Sequence, residues 1–373
     1  MLNNVLELAA PAVRQLAPYV PGKPLSELER EYGIRDSIKL ASNENPLGPG
    51  TKARVAIANA VNDLGLYPDG NGFELKQALA KHHACSTDRI TLGNGSNDLL
   101  VLLSEAFLTP EVDAVYSQYC FAIYPIAVQA TGAVGRVAAA FPESHQMSLG
   151  HDLDAMRKLV TDKTRLVFVA NPNNPTGTWV DAVALKRFIA SLPSTTMVVV
   201  DEAYIEYAVN DASADASRWI DEFPNLVVTR TFSKAYGLAG LRVGYALSSA
   251  EVANVLNRVR QPFNVNSLAL VAATAALDDE EHLQRTAELN SKGMQQVLTG
   301  LKELNVRVYP SACNFVLVDC KRPGAEVNEA LLRQGVIVRP VGGYGLPTHI
   351  RITIGTEQEN ARMLVALEKA LGK

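Results

Sequence analysis

Two short stretches, Leu166-Val-Phe-Val-Ala170 and Met197-Val-Val-Val200, contain no polar residue at all. A strand with one face in water alternates apolar and polar side chains, whereas a strand covered on both faces does not. From about residue 89 to 247, runs of this kind alternate with longer helical patterns. Arg89–Leu92, Ala114–Tyr116, Leu166–Ala170, Met197–Val200, Leu226–Thr229 and Val243–Leu247 are the predicted strands. The fold class that satisfies this pattern is α/β, with a mainly parallel sheet flanked by helices in a large domain.

A second set of strands is expected at Asn314–Asp319, Val336–Arg339 and Ile350–Ile354. The last helix opens with a capping-box signature, Thr356 followed by Glu359, ahead of an apolar face with Met363, Leu367 and Leu371. With 373 residues the chain has room for two domains. The expected division is an N-terminal segment (1–45) packing on the small domain, a large domain (46–258) and a small α/β domain (259–373).

Several function classes lose support. A formal net charge of -4 without a basic run argues against a nucleic-acid partner. No apolar stretch approaches the roughly 20 residues that span a bilayer. Asn3, Asn4 and Glu7 do not suit a signal peptide, and Cys85, Cys120, Cys313 and Cys320 lack C-x-x-C spacing. The expected location is the cytoplasm. The histidines form no H-E-x-x-H, so no metal is expected, and there is no G-x-S-x-G elbow.

In open α/β sheets, ligands sit beyond the carboxyl ends of the strands. Asn171-Pro-Asn-Asn174-Pro-Thr-Gly177, Asp201-Glu-Ala-Tyr204 and Thr231-Phe-Ser-Lys234 follow three successive predicted strands. They bring an amide, a carboxylate with a phenol, and an amine to one rim. The Lys234 amine can condense with an aldehyde, while Thr231, Ser233 and Arg242 can hold a phosphate dianion. Asp201, directly after four apolar residues, needs a cationic partner such as a pyridinium nitrogen, which the carboxylate would keep protonated as part of an electron sink. Gly93-Asn-Gly95-Ser96-Asn97-Asp98 turns from a strand into a helix and offers free N–H groups to an anion, with Ser96 and Asn97 as ligands. It is not a dinucleotide fingerprint, because Asp98 stands where a third glycine would be. Phe121 is placed to stack on a planar ring. Each of these residues also has a plain structural reading: a turn for the Asn-Pro segment, a helix cap for Ser96 or Asn97, core for Phe121 and a loop bond for Asp201.

Asn174-Pro-Thr-Gly177, Asp201-x-x-Tyr204, Ser233-Lys234 and Arg242, in this order and spacing, resemble the fold-type I aminotransferases that use pyridoxal 5'-phosphate. Within that group Asn43-Glu-Asn-Pro-Leu-Gly48, Leu66-Tyr-Pro-Asp69 and Arg339…Gly343-Tyr-Gly-Leu-Pro-Thr-His-Ile-Arg351 are most similar to the histidinol-phosphate aminotransferases. The resemblance implies that Lys234 bonds covalently to the cofactor and carries the proton transfer, and that Asp201 pairs with the pyridine nitrogen. Asn174 and Tyr204 would contact the ring oxygen, Phe121 the ring face, and Gly95, Ser96, Asn97, Thr231, Ser233 and Arg242 the phosphate. Tyr67 would reach the phosphate site of a neighbouring subunit in a homodimer with shared active sites. Tyr19, Asn174, Arg339 and Arg351 would bind substrate, either glutamate (or 2-oxoglutarate) or histidinol phosphate. Two departures are visible: Phe121 stands where some members have tyrosine, and the phosphate turn reads Gly-Ser-Asn rather than Gly-Ala-Asp. An aromatic amino-acid aminotransferase, a decarboxylase of a phosphorylated amino acid, a nicotinamide dehydrogenase and a non-catalytic binding protein on the same scaffold are the alternatives.

Overall fold

A computed structural model describes residues 5–208 and 214–373; Asn3 and Asn4 lie outside them. The short strand β1 (Ile38–Lys39) precedes the large sheet. That sheet holds β2 (Ile90–Gly93), β3 (Asp113–Ser117), β4 (Val134–Ala138), β5 (Thr164–Ala170), β6 (Met197–Asp201), β7 (Leu226–Thr231) and β8 (Gly244–Leu247). Its seven strands run in the order β2-β8-β7-β6-β5-β3-β4. Every pair from β7 to β4 is parallel, whereas β8 is antiparallel to both β7 and β2.

The unbroken apolar runs are explained by two cores. Val167, Val169, Val198, Val200 and Val228 face one of them, and Leu166, Phe168, Ala170, Val199 and Val227 face the other. Alternate residues of one strand therefore enter opposite layers, and both layers are dry. β4 was not expected from the sequence. It is an edge strand with Val134 and Val137 exposed, so it lacks the continuous burial that marks its neighbours.

The second sheet contains β9 (Arg307–Val308), β10 (Phe315–Asp319), β12 (Arg339–Pro340) and β13 (His349–Thr353), while β11 (Val336–Ile337) lies apart from it. Its order is β12-β13-β10-β9, all antiparallel. The single strand expected over Val336–Arg339 is divided: β11 pairs in parallel with β1, and β12 pairs with β13. Leu28 and Ala41 from the N-terminal segment pack against Leu332 and Ile337, and the Tyr32 hydroxyl donates to Glu329 at 2.9 Å.

Beyond residue 258, where the sequence puts the domain boundary, the helix Ser267–Leu277 still belongs to the large sheet's core through Ala269, Ala272, Ala273 and Ala276. This helix returns to cover the sheet after the chain has left its last strand. The helix Glu280–Glu303 follows, and its Val297 and Leu301 enter the core of the small sheet. In the final helix, Glu357–Leu371, both halves of the Thr356–Glu359 capping box form, with Met363 and Leu367 fully buried. Among the described residues, no helix is long and apolar enough to cross a membrane.

Candidate active site

β6 ends at Asp201 and β7 at Thr231, and their parallel register sets Asp201 opposite Thr229. Asp201 and Lys234 line one cavity at the carboxyl edge of the large sheet. The Asp201 carboxylate is 5% exposed and accepts from the Tyr124 hydroxyl at 2.9 Å and the Thr229 hydroxyl at 3.1 Å. Burial raises its pKa against the lowering effect of these donors. It is thus an acid that gains from a cation in the cavity. Tyr124 is itself fully buried beside Asp201, which holds its hydroxyl protonated as a donor.

Lys234 Nζ donates to the Ser42 carbonyl at 2.9 Å and stands 5.8 Å from the Tyr204 ring centre. Burial in the first place, then the Arg351 guanidinium, lowers its pKa to about 7. An amine in that range is substantially neutral, hence nucleophilic, near neutrality. Tyr204 accepts from Asn43 Nδ2 at 2.8 Å, and burial pushes its pKa up, so it keeps its proton.

At one end of the cavity the helix Ser96–Phe107 begins. Its N-cap, Gly95, has φ 86°, and no side chain caps the first turn. The plain alternative, a helix cap by Ser96 or Asn97, is therefore not realised, and the terminal N–H groups are left open to an anion. Arg242 Nη1 donates to Ser233 Oγ at 3.2 Å, and Ser233 N donates to Thr231 Oγ1 at 3.1 Å. A Cβ on Gly95 would fall 2.4 Å from Arg242 Nη2, so only glycine lets the guanidinium lie against the helix start. Helix dipole, hydroxyls and guanidinium converge as an anion cradle. Phe121 lines the same cavity, its ring edge-on to Tyr124 at 6.1 Å.

The opposite end draws on the small sheet. Arg351 on β13 is 6% exposed; its Nη1 donates to Asn174 Oδ1 and its Nη2 to the Ala41 carbonyl at 2.7 Å. The guanidinium lies 5.1 Å from the Phe315 ring centre, and its Nε is buried without a partner. Arg339 on β12 donates to the Val20 carbonyl at 2.6 Å and lies over the exposed Tyr19 ring. Counting Lys234 and Arg242, four basic side chains and one acidic one line the cavity, which suits a ligand carrying several negative charges.

Tyr67 is not brought to this cavity. It is 84% exposed and stacks on Phe263 with 4.8 Å between ring centres. Conversely, Tyr124, Thr229, Asn43 and Ser42 touch the central groups although sequence reasoning gave them no role. Thr229 becomes visible only when the β6–β7 register is known. Tyr124 lies three residues after Phe121 in an apolar helical segment, where nothing local marks it as a partner of Asp201.

The family model for aminotransferase class I and II matches residues 35–367. The chain is 56% identical to histidinol-phosphate aminotransferase 2 of Pseudomonas aeruginosa over 99% of each chain. It is 54% identical to histidinol-phosphate aminotransferase 1 of Nitrosococcus oceani, covering 98% of this chain and 97% of the other. The crystal structure of histidinol-phosphate aminotransferase from Sinorhizobium meliloti in complex with pyridoxal-5'-phosphate is similar, with a TM-score of 0.88 and 31% identity, over 98% of this chain and 97% of that one.

Proposed function

The chain belongs to the class I and II aminotransferase family, and we propose that it exchanges an amino group between L-glutamate and histidinol phosphate, a step of histidine biosynthesis. The keto partners are 2-oxoglutarate and imidazole acetol phosphate. The observation that carries this reading is the placement of the Lys234 amine, the Asp201 carboxylate and the Arg351 guanidinium on one cavity.

The cofactor is pyridoxal phosphate, and the donor set fits it. The uncapped helix start with Arg242, Ser233 and Thr231 takes the phosphate, and Asp201, raised by burial, takes a ring cation. Asn174 and Tyr204 stand by the ring oxygen, and Phe121 offers a face for stacking. Pyridoxal phosphate supplies, when bound, an aldehyde carbon for an amine and a ring that accepts an electron pair.

The chain's own residues do the rest. Lys234 Nζ, about half neutral at pH 7, is the amine that would take the proton from the substrate α-carbon and hold it for return. Asp201 stays anionic against the ring cation, and Tyr124 and Thr229 keep its two oxygens in place. Arg351 exchanges its bond to Asn174 for the acidic group of the substrate, a carboxylate in glutamate and the phosphate in histidinol phosphate, and its unpartnered Nε is a further donor beside it. Arg339 and Tyr19 line the same cavity and flank that acidic group.

Two copies would share their sites. Support comes from Tyr67, Leu66 and Phe73, which are exposed apolar side chains rimming one hollow; Tyr67 would reach the phosphate cradle of a second copy. We place the protein in the cytoplasm, where its four free cysteines stay reduced.

The substrate assignment is tested by mixing the cofactor-loaded enzyme with histidinol phosphate, phenylalanine or tyrosine in single turnover, following the cofactor's absorption. Histidinol phosphate should react fastest. Equal or faster reaction with phenylalanine would instead identify an aromatic amino-acid aminotransferase.

A further inference from the structure

Asp98, which occupies the place of the missing third glycine in the Gly93–Asp98 turn, contacts neither the Lys234 amine nor the Arg242 guanidinium. Its Oδ2 accepts the backbone N–H of Asn94 at 2.8 Å and the Asn264 side-chain amide at 2.9 Å. The carboxylate sits on the third residue of the helix Ser96–Phe107 and reaches back over the turn to the residue before the N-cap. A capping acid at this position ordinarily closes on the N-cap itself. Here the bond goes past Gly95 to Asn94 and does not take up the N–H groups of Ser96 and Asn97.

Behind Asp98 the bonding continues. Asn264 Nδ2 also donates to the Leu92 carbonyl at 3.1 Å, so one amide joins the end of β2 to the helix start. Asn264 Oδ1 accepts from Arg260 Nη1 at 2.8 Å, and Arg260 Nη2 donates to the Gly70 carbonyl at 3.0 Å. Phe263, beside Asn264 in sequence, carries the stacking contact to Tyr67. The chain Asp98–Asn264–Arg260 therefore runs from the phosphate turn to the loop that bears Tyr67.

The missing glycine is explained from the other side. In a G-x-G-x-x-G turn the third glycine allows the helix to approach a strand closely. In this fold the close approach falls on Gly244 of β8, where a Cβ would lie 2.5 Å from the Ser96 nitrogen. The helix residue is thereby free to be an acid. The Arg260 cation, bonded to the far side of Asn264, offsets a negative charge that would otherwise oppose a phosphate.

We propose that Asp98, held by Asn264, is a positioning residue for the cofactor phosphate: it fixes the Gly93–Asn97 turn so that the helix N–H groups and Arg242 converge on the dianion. This rests on the pyridoxal-phosphate reading above. The experiment compares pyridoxal phosphate with pyridoxal, which has the same aldehyde and ring but no phosphate, by equilibrium binding to the cofactor-free full chain.

Asp98→Ala should weaken pyridoxal phosphate by on the order of tenfold while leaving pyridoxal affinity unchanged. Asp98→Asn, which keeps an oxygen acceptor, should restore most of the difference. Asn264→Ala should show the same selective loss at about threefold, and it stands in if Asp98→Ala does not fold. Equal weakening of both ligands would mean general disorder of the site and overturn the proposal, as would unchanged binding of both. A wild-type chain that does not prefer the phosphorylated ligand would instead bring down the cofactor reading on which the proposal rests.

Discussion

The two ends of the cavity are built by different means. At the cofactor end, Asp201, Thr231 and the segment to Lys234 leave β6 and β7, which are hydrogen-bonded neighbours, and Arg242 precedes β8, the next strand along. Their spacing is set by backbone ladders inside a sheet buried on both faces. At the substrate end, Arg351 and Arg339 come from a second sheet, Tyr19 from the N-terminal segment and Asn174 from the loop after β5. The two arginines are ladder partners across β12 and β13, but what ties them to Asn174 and to the N-terminal segment is side-chain bonding: Arg351 to Asn174 and to the Ala41 carbonyl, and Arg339 to the Val20 carbonyl. A strand ladder holds groups where chemistry needs them before any ligand arrives. Side-chain bonds of this kind can be exchanged for bonds to a ligand, which suits a pocket that must take two different acids in turn.

If the rigid end carries the chemistry, the largest losses belong there. Lys234→Ala should abolish the cofactor's covalent absorption band and lower turnover by on the order of 10⁴-fold. An unchanged band would remove Lys234 as the attachment point and with it the contrast between the ends. Asp201→Asn comes next. It keeps an oxygen acceptor for the Tyr124 or Thr229 hydroxyl but loses the charge, and kcat should fall about 10²- to 10³-fold with the phosphate still anchored. Near-normal turnover would show that the buried carboxylate is only structural.

The same contrast decides what could be read without a structure. Lys234, Asp201 and Arg242 are legible because each follows or precedes an apolar strand, and adjacent strand ends lie together in a parallel sheet. Thr229 and Tyr124 were not legible. The first depends on a register that no local pattern prints, and the second is an aromatic residue in an apolar helix until a carboxylate is seen against it. β4 escaped for a related reason, since the criterion that finds central strands is burial on both faces and an edge strand lacks it. The division of Val336–Arg339 between β1 and β13 was hidden because pairing partners some 300 residues away in sequence, such as Ile38 for Val336, leave no trace in the strand itself. At the substrate end, only the family resemblance singled out Arg339 and Arg351, because nothing in their local sequence separates them from surface arginines.

Effects at the adaptable end should be smaller and shared between substrates. Arg351→Ala should raise KM for glutamate and for histidinol phosphate alike, lowering kcat/KM by about 10- to 100-fold for both. Loss confined to one substrate would mean two separate pockets rather than one exchangeable grip. Arg339→Ala, at a half-exposed mouth, should cost less than Arg351→Ala in both half-reactions.

The remaining effect concerns the rigid end without its cofactor. Lys234 has a folded pKa of about 7 against an ordinary 10.5. Between those values the unfolded chain holds a proton on this amine that the folded chain has released. Stability then rises with pH across the window from about 7 to 10.5, by at most about one proton of linkage. Below pH 7 both states are protonated, and the contribution is constant and unfavourable. In Lys234→Met the amine and its slope are both gone. Denaturation midpoints of the cofactor-free protein should therefore rise more steeply with pH in the wild type than in this variant, and the variant should be the more stable of the two at pH 7. Parallel pH profiles would show that the amine is solvated and fully charged at rest, so that ordering of this end begins with the cofactor and not with the strand ladder.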